Sequence, residues 1–196
     1  MLPSYIIFLA IPVILAGYFF YFKDIFYGQT RPNIVSWFLW MLGPLIGVFF
    51  QLKAGAGLSV IPVFSAGFGP FVVVVVLFFK RNFIWKITTF DVICGIFSIL
   101  ALVLYALTHN LAISVLFAIL SDLFAFIPTY IKGWKFPETE TGILYFASAF
   151  NNILALLIIK NWIFPIYSFS VYLLLANLVF LIILYRKRVF SKNIDN

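Results

Sequence analysis

Apolar stretches of about 20 residues, the length a helix needs to span a bilayer, follow one another along the whole chain and are broken only by short clusters of charge, glycine and proline. Dividing the chain at those clusters predicts seven helical spans: Pro3 to Phe22, Ile34 to Leu52, Leu58 to Phe79, Phe90 to Thr108, Leu111 to Ile131, Gly142 to Ile159 and Ile163 to Tyr185. The runs are continuous, whereas a membrane β-barrel needs alternating segments of about ten residues. Breaks this short leave neighbouring helices antiparallel and no room for a soluble domain.

Composition agrees. The chain is 65% hydrophobic and 10% charged, with a mean hydropathy of +1.15, where soluble domains carry about 25% charged residues. The +7 net charge would point to nucleic acid in a soluble protein, so the positions of the cations decide. Lys23, Arg31, Lys80, Arg81, Lys86, Lys132, Lys135, Arg186, Lys187, Arg188 and Lys192 fall in alternate loops and the tail, and only Lys53 and Lys160 fall on the other face. The positive-inside rule then places the N-terminus outside and the C-terminus in the cytoplasm, in a plasma (inner) membrane, with no nucleic-acid partner. Met1 to Phe22 contains no Lys or Arg, so the first span is read as a retained helix and not as a signal peptide. A single cysteine, Cys94, excludes an intrachain disulfide.

Two stretches repeat. YFFYFKDIFYGQTRPN, from Tyr18 to Asn33, matches IPTYIKGWKFPETETG, from Ile127 to Gly142, when Tyr21 is set on Tyr130 and Lys23 on Lys132. Thr30 then falls on Thr139 and Asn33 on Gly142. Spans three and seven end alike, in Phe79-Lys80-Arg81 and Tyr185-Arg186-Lys187. The fold expected is an all-α polytopic membrane protein of two parallel three-helix bundles joined by a linker helix, in a 3+1+3 order. The first bundle occupies residues 1–86, the linker 87–109 and the second bundle, with a short basic tail, 110–196. Parallel repeats about an axis normal to the membrane are a transporter architecture, with solute bound near the midplane.

Pro128-Thr129, Lys132, a short loop and Thr139-Glu140-Thr141-Gly142 at the start of a new helix resemble the PQ-loop motif. In the first copy Thr30-Arg31-Pro32-Asn33 followed by Ser36, Trp37 and Trp40 is similar to the polar start and Trp of the second helix in that group. The chain therefore resembles the PQ-loop and SWEET superfamily, although Thr129 stands where its glutamine would be and Phe19-Phe20 where the first Pro-Gln would be. The resemblance implies a seven-helix fold and a carrier of sugar, amino acid or vitamin precursor, or else a sorting receptor.

Asp122 is the only carboxylate deep inside a span, where an ionised side chain costs at least about 2.5 kcal/mol on insertion scales. It can couple transport by taking up a proton in one state and releasing it in another, as the resemblance also implies, or it can bond a neighbouring helix. Ser148, Asn151 and Asn152 share one face of span six and join Asn177 on span seven as groups suited to a neutral polar solute. Trp37 and Trp40 offer an aromatic wall from the other half; the alternative for Trp37 is a place in the interfacial belt. Pro128, with Thr129 beside it in the motif, hinges a gate by breaking span five. Pro12, Pro44, Pro62 and Pro70 supply similar breaks, and Gly55, Gly57, Gly67 and Gly69 let helices approach closely. Glu138 and Glu140 pair weakly with Lys132 and Lys135 in an exposed loop, and Asp91 is a helix-start charge.

His109 has no second ligand near it, so no metal site is expected, and no cofactor. No nucleophile elbow, phosphate loop or dinucleotide fingerprint occurs, which argues against an enzyme. The expected function is a carrier of a small polar solute by alternating access, with proton coupling at Asp122. The alternative is a non-transporting receptor or assembly partner of the same fold. Expected partners are the solute and the lipid bilayer; association into a homo-oligomer is left open.

Overall fold

A computed structural model describes residues 3–79, 85–108 and 110–191 of the chain. Expectations that rest on Lys80, Arg81, His109 and Lys192, or on the side chains of Lys187 and Arg188, lie outside the described residues. All regular structure among the described residues is helical. It comprises α1 (Ala10–Phe26), α2 (Ile34–Lys53), α3 (Ile61–Phe79), α4 (Thr89–Leu107), α5 (Leu111–Lys135), α6 (Gly142–Ile158) and α7 (Phe164–Ser191), with short 3₁₀ turns at Ser4–Leu9, Gly57–Val60 and Pro137–Thr139. Five stretches are long and apolar enough to cross a membrane: Ser4–Phe26, Ile34–Lys53, Gly57–Phe79, Leu111–Lys135 and Phe164–Arg186. Thr89–Leu104 and Gly142–Ile158 are shorter apolar helices. This is the architecture of a helical integral membrane protein.

Local chemistry sets the helix ends. Asn33 caps α2 by accepting from the amides of Val35 and Ser36, Asn110 caps α5 through Ala112 and Ile113, and Thr88 with Asp91 forms a capping box on α4. Each satisfies amides that a first turn leaves without partners. Hydropathy ended span one at Phe22, span five at Ile131 and span seven at Tyr185, but α1, α5 and α7 run on to Phe26, Lys135 and Ser191. Lys23, Lys132 and Lys135 sit inside the last turns, where a cation complements the helix dipole.

Prolines and glycines divide by position. Pro44, Pro70 and Pro128 lie inside α2, α3 and α5, each of which continues through. Pro12 and Pro62 instead occupy the first turns of α1 and α3, just after a 3₁₀ turn, where a missing amide costs little. Gly67 and Gly69 allow close packing: a Cβ would lie 2.7 Å from Leu45 Cγ at the first and 1.7 Å from Tyr18 Oη at the second. Gly55 and Gly57 do not serve packing. Their φ values of 85° and 57° make them turn residues in a conformation that other side chains resist, with open space around them.

Helix α1 packs on α6 and α5 packs on α2; α2 also packs on α3, α6 on α7 and α5 on α7. Glycine lies at both of the first two contacts, Gly17 against Leu144 and Ala147, and Gly43 against Ala118. Helix α4 lies against α5 and, less extensively, α2, and leaves Phe90, Ile96, Leu100, Val103 and Leu107 exposed. The loops carrying Arg31, Lys86, Lys132 and Lys135 gather at one end of the molecule, called here the basic end.

Candidate functional site

Mid-way along the helices, side chains from six of them surround a cavity. Trp37 and Trp40 reach it from α2, Asp122 and Phe126 from α5, Ser148 and Asn151 from α6, and Asn177 from α7; α1 adds Tyr18 and α3 adds Pro62 and Pro70. Both indoles are buried, so Trp37 belongs to the interior and not to an interfacial belt. The cavity holds about 50 Å³. A water needs about 10–15 Å³ by the same measure, so there is room for a few waters.

The lining is polar in a specific way. Tyr172 donates to Asp122 Oδ2 at 2.7 Å, and this is the sole hydrogen bond on that carboxylate among the described residues. Asn177 donates to Ser148 Oγ at 3.1 Å and to the Leu173 carbonyl at 2.6 Å. Asn151 is 1% exposed, yet neither end of its amide has a hydrogen-bond partner among the described residues, and the same is true of Trp40 Nε1. Buried polar atoms left unpaired cost about 1–3 kcal/mol each, so these groups await water or a ligand. Asn152 stands apart from the other candidates: it is absent from the cavity wall and its amide donates to the Ser148 carbonyl at 2.9 Å.

Toward the basic end, rings close the cavity off. Tyr21 packs on Trp37 at 4.9 Å between centroids, Trp37 on Trp40 at 5.3 Å, Trp40 on Phe126 at 4.4 Å and Phe126 on Tyr130 at 5.0 Å. Phe180 continues the series between Tyr130 and Tyr145. At the other end Ile7, Ala10, Leu154, Ala155 and Ile158 form an apolar cluster. Rings thus wall the cavity toward the basic end, and an apolar cluster lies toward the other.

Beyond the rings the loops of the two repeated stretches, 27–33 and 136–141 with the helix ends before them, called here the hinges, bond to each other. Lys132 and Glu140 form an ion pair of 2.7 Å whose side chains are 2% and 0% exposed, not a weak pair in a solvated loop. The Lys132 ammonium also donates to the carbonyls of Arg31 and Thr139, and Tyr145 donates to Glu140 Oε2 at 3.1 Å. Thr141 donates to Asp24 Oδ2 at 2.7 Å and is 2.5 Å from Thr30 Oγ1, while the Arg31 amide donates to the Thr139 carbonyl at 3.2 Å. Alongside them Thr129 donates to Ser36 Oγ at 3.0 Å, which ties α5 to α2. Pro128 borders a separate hollow at this end, with Trp85, Asp91 and Lys135. Asp91 does more than start a helix, because Asn33 donates to its Oδ1 at 2.9 Å and so joins the starts of α2 and α4.

Aligned by the starts of α2 and α6, Asn33 falls on Thr141, one residue before Gly142, because the second hinge, 136–141, is one residue shorter than the first, 27–33. Trp37 then corresponds to Tyr145, Trp40 to Ser148 and Gly43 to Asn151. Among the described residues no cluster of three or more His, Cys, Asp or Glu side chains could hold a metal ion. No family model, curated protein or solved structure matches this chain.

Proposed function

We propose that this chain is a membrane carrier of a small polar solute, built on the 3+1+3 plan of the PQ-loop and SWEET superfamily and working by alternating access. The pairing of helices supports the plan: exchanging α1, α2 and α3 for α5, α6 and α7 turns the α1–α6 contact into α5–α2, the α2–α3 contact into α6–α7 and the α3–α6 contact into α7–α2. Helix α4 is then the linker. The observation that carries the reading is the unpartnered Asn151 amide facing the same central cavity as the only mid-span carboxylate, Asp122. Asn151, Asn177, Ser148, Trp37 and Trp40 contact solute, Asp122 takes the coupling proton, and Pro128 with Thr129 lies where the cytoplasmic gate flexes. On this reading the bonded hinges and the rings above them form the cytoplasmic gate. Uptake into vesicles tests this: a solute gradient should drive pH-dependent uptake that Asp122→Asn makes independent of pH, and pH dependence that survives the substitution removes the coupling role.

A non-transporting receptor of the same fold is the second reading. It is favoured by the small volume of the central cavity and by an apolar groove between α5 and α7, where Leu116, Leu123, Leu175 and Val179 are exposed. Absence of uptake for every solute that stabilises the protein would favour it.

A further inference from the structure

We infer that the solute is a small organic cation, whose ammonium group sits between the Asp122 carboxylate and the rings of Trp40 and Phe126. The inference rests on the carrier reading and narrows it to one class of substrate. Among the described residues Asp122 is the only charged side chain lining the cavity. Two cations of the basic end are engaged there, Lys132 by Glu140 and two carbonyls and Arg186 by the carbonyls of Gly133, Trp134 and Ile183. Among the described residues the carboxylate has one hydrogen bond, to Oδ2 from Tyr172, and no cation against it. A buried charge without a counter-charge is strongly unfavourable, and a solute that brings a positive charge relieves it.

The neighbouring rings favour the same class. Phe126 lies one helical turn after Asp122 on the same face of α5, and its centroid is 4.4 Å from that of Trp40. Trp37, Tyr18 and Tyr145 complete the wall, and aromatic faces attract cations, most of all when water is excluded. The idle Asn151 amide offers both a donor and an acceptor to a hydroxyl or amide elsewhere on the solute. A solute with its own carboxylate would meet Asp122 with no cation to receive it, so anions and free amino acids are disfavoured.

Quenching of tryptophan fluorescence in the purified full-length protein tests the inference, since Trp37 and Trp40 line the cavity. The probes are choline, its neutral isostere 3,3-dimethyl-1-butanol, and glucose. Choline should bind at least tenfold more tightly than the isostere. Asp122→Asn should erase that difference, and Trp40→Leu should weaken choline binding about tenfold, with unfolding transitions confirming that both variants are folded. Equal binding of choline and its isostere, or a cation preference that survives in Asp122→Asn, overturns the inference. Saturable quenching by glucose without any by choline also overturns it and leaves the carrier reading standing. No response to any probe, together with a Ser148→Cys thiol that never reacts from either side of a vesicle, overturns both.

Discussion

Glu140→Ala removes the carboxylate that holds Lys132 at 2.7 Å in a site closed to solvent, and its effect follows from what the ammonium keeps. Removing one member of a buried ion pair costs about 3–5 kcal/mol. Lys132 retains the carbonyls of Arg31 and Thr139, so the lower figure applies, about 3 kcal/mol. If the hinges part in the other state and water solvates the ammonium there, the loss falls on the closed conformation alone. At about 1.4 kcal/mol per factor of ten, opening becomes about 100-fold more favourable. The reporter is a Ser148→Cys thiol on a Cys94→Ser background, labelled by an impermeant maleimide added from the basic end. Glu140→Ala should speed labelling by about two orders of magnitude. Lys132→Met with Glu140→Leu should slow it again, because an apolar pair of similar volume often replaces a buried ion pair without loss. A labelling rate changed by less than about threefold would refute the reasoning, since the pair would then be worth no more than an exposed one.

Other substitutions probe the frame around the cavity. Gly69→Ala should lower the thermal unfolding temperature by an amount equivalent to about 1–3 kcal/mol, because its Cβ would overlap Tyr18 Oη, and adding Tyr18→Leu should recover much of the loss. Asn33→Ala removes both the α2 cap and the bond to Asp91 and should cost about 1–3 kcal/mol in denaturant unfolding. Thr129→Val should cost about 1–3 kcal/mol by leaving the Ser36 hydroxyl without its partner in the interior, and Ser36→Ala added to it should restore part of that; losses that simply add would count against a shared bond.

The sequence made the helices legible because lipid-facing and buried positions are both apolar, so each span stands out as an unbroken run. The same property hid the packing. Gly17 and Gly43 lie at the α1–α6 and α5–α2 contacts, and nothing in a uniformly apolar pattern marks which face meets which. Asp122 stands out as a carboxylate deep in a span, Asn151 as an amide on the polar face of span six and Trp40 as an aromatic wall, and the three share one cavity. Asn152 lies on the same helix face by spacing, but its amide turns to its own helix. The strength of the Lys132–Glu140 pair is invisible in the sequence because loop residues ordinarily face solvent, whereas here the hinges fold against each other and bury both side chains. Matching residue letters cannot see a one-residue difference in loop length, which the caps reveal.

That one-residue difference also divides labour. With the caps aligned, the positions that bear Trp40 and Gly43 in the first half bear Ser148 and Asn151 in the second, so matching places on the two helices present indole and bare backbone on one flank, hydroxyl and amide on the other. Under the proposed carrier reading, a passenger in this cavity would turn its greasy side toward α2 and its sticky side toward α6, which gives it a built-in sense of which way to face.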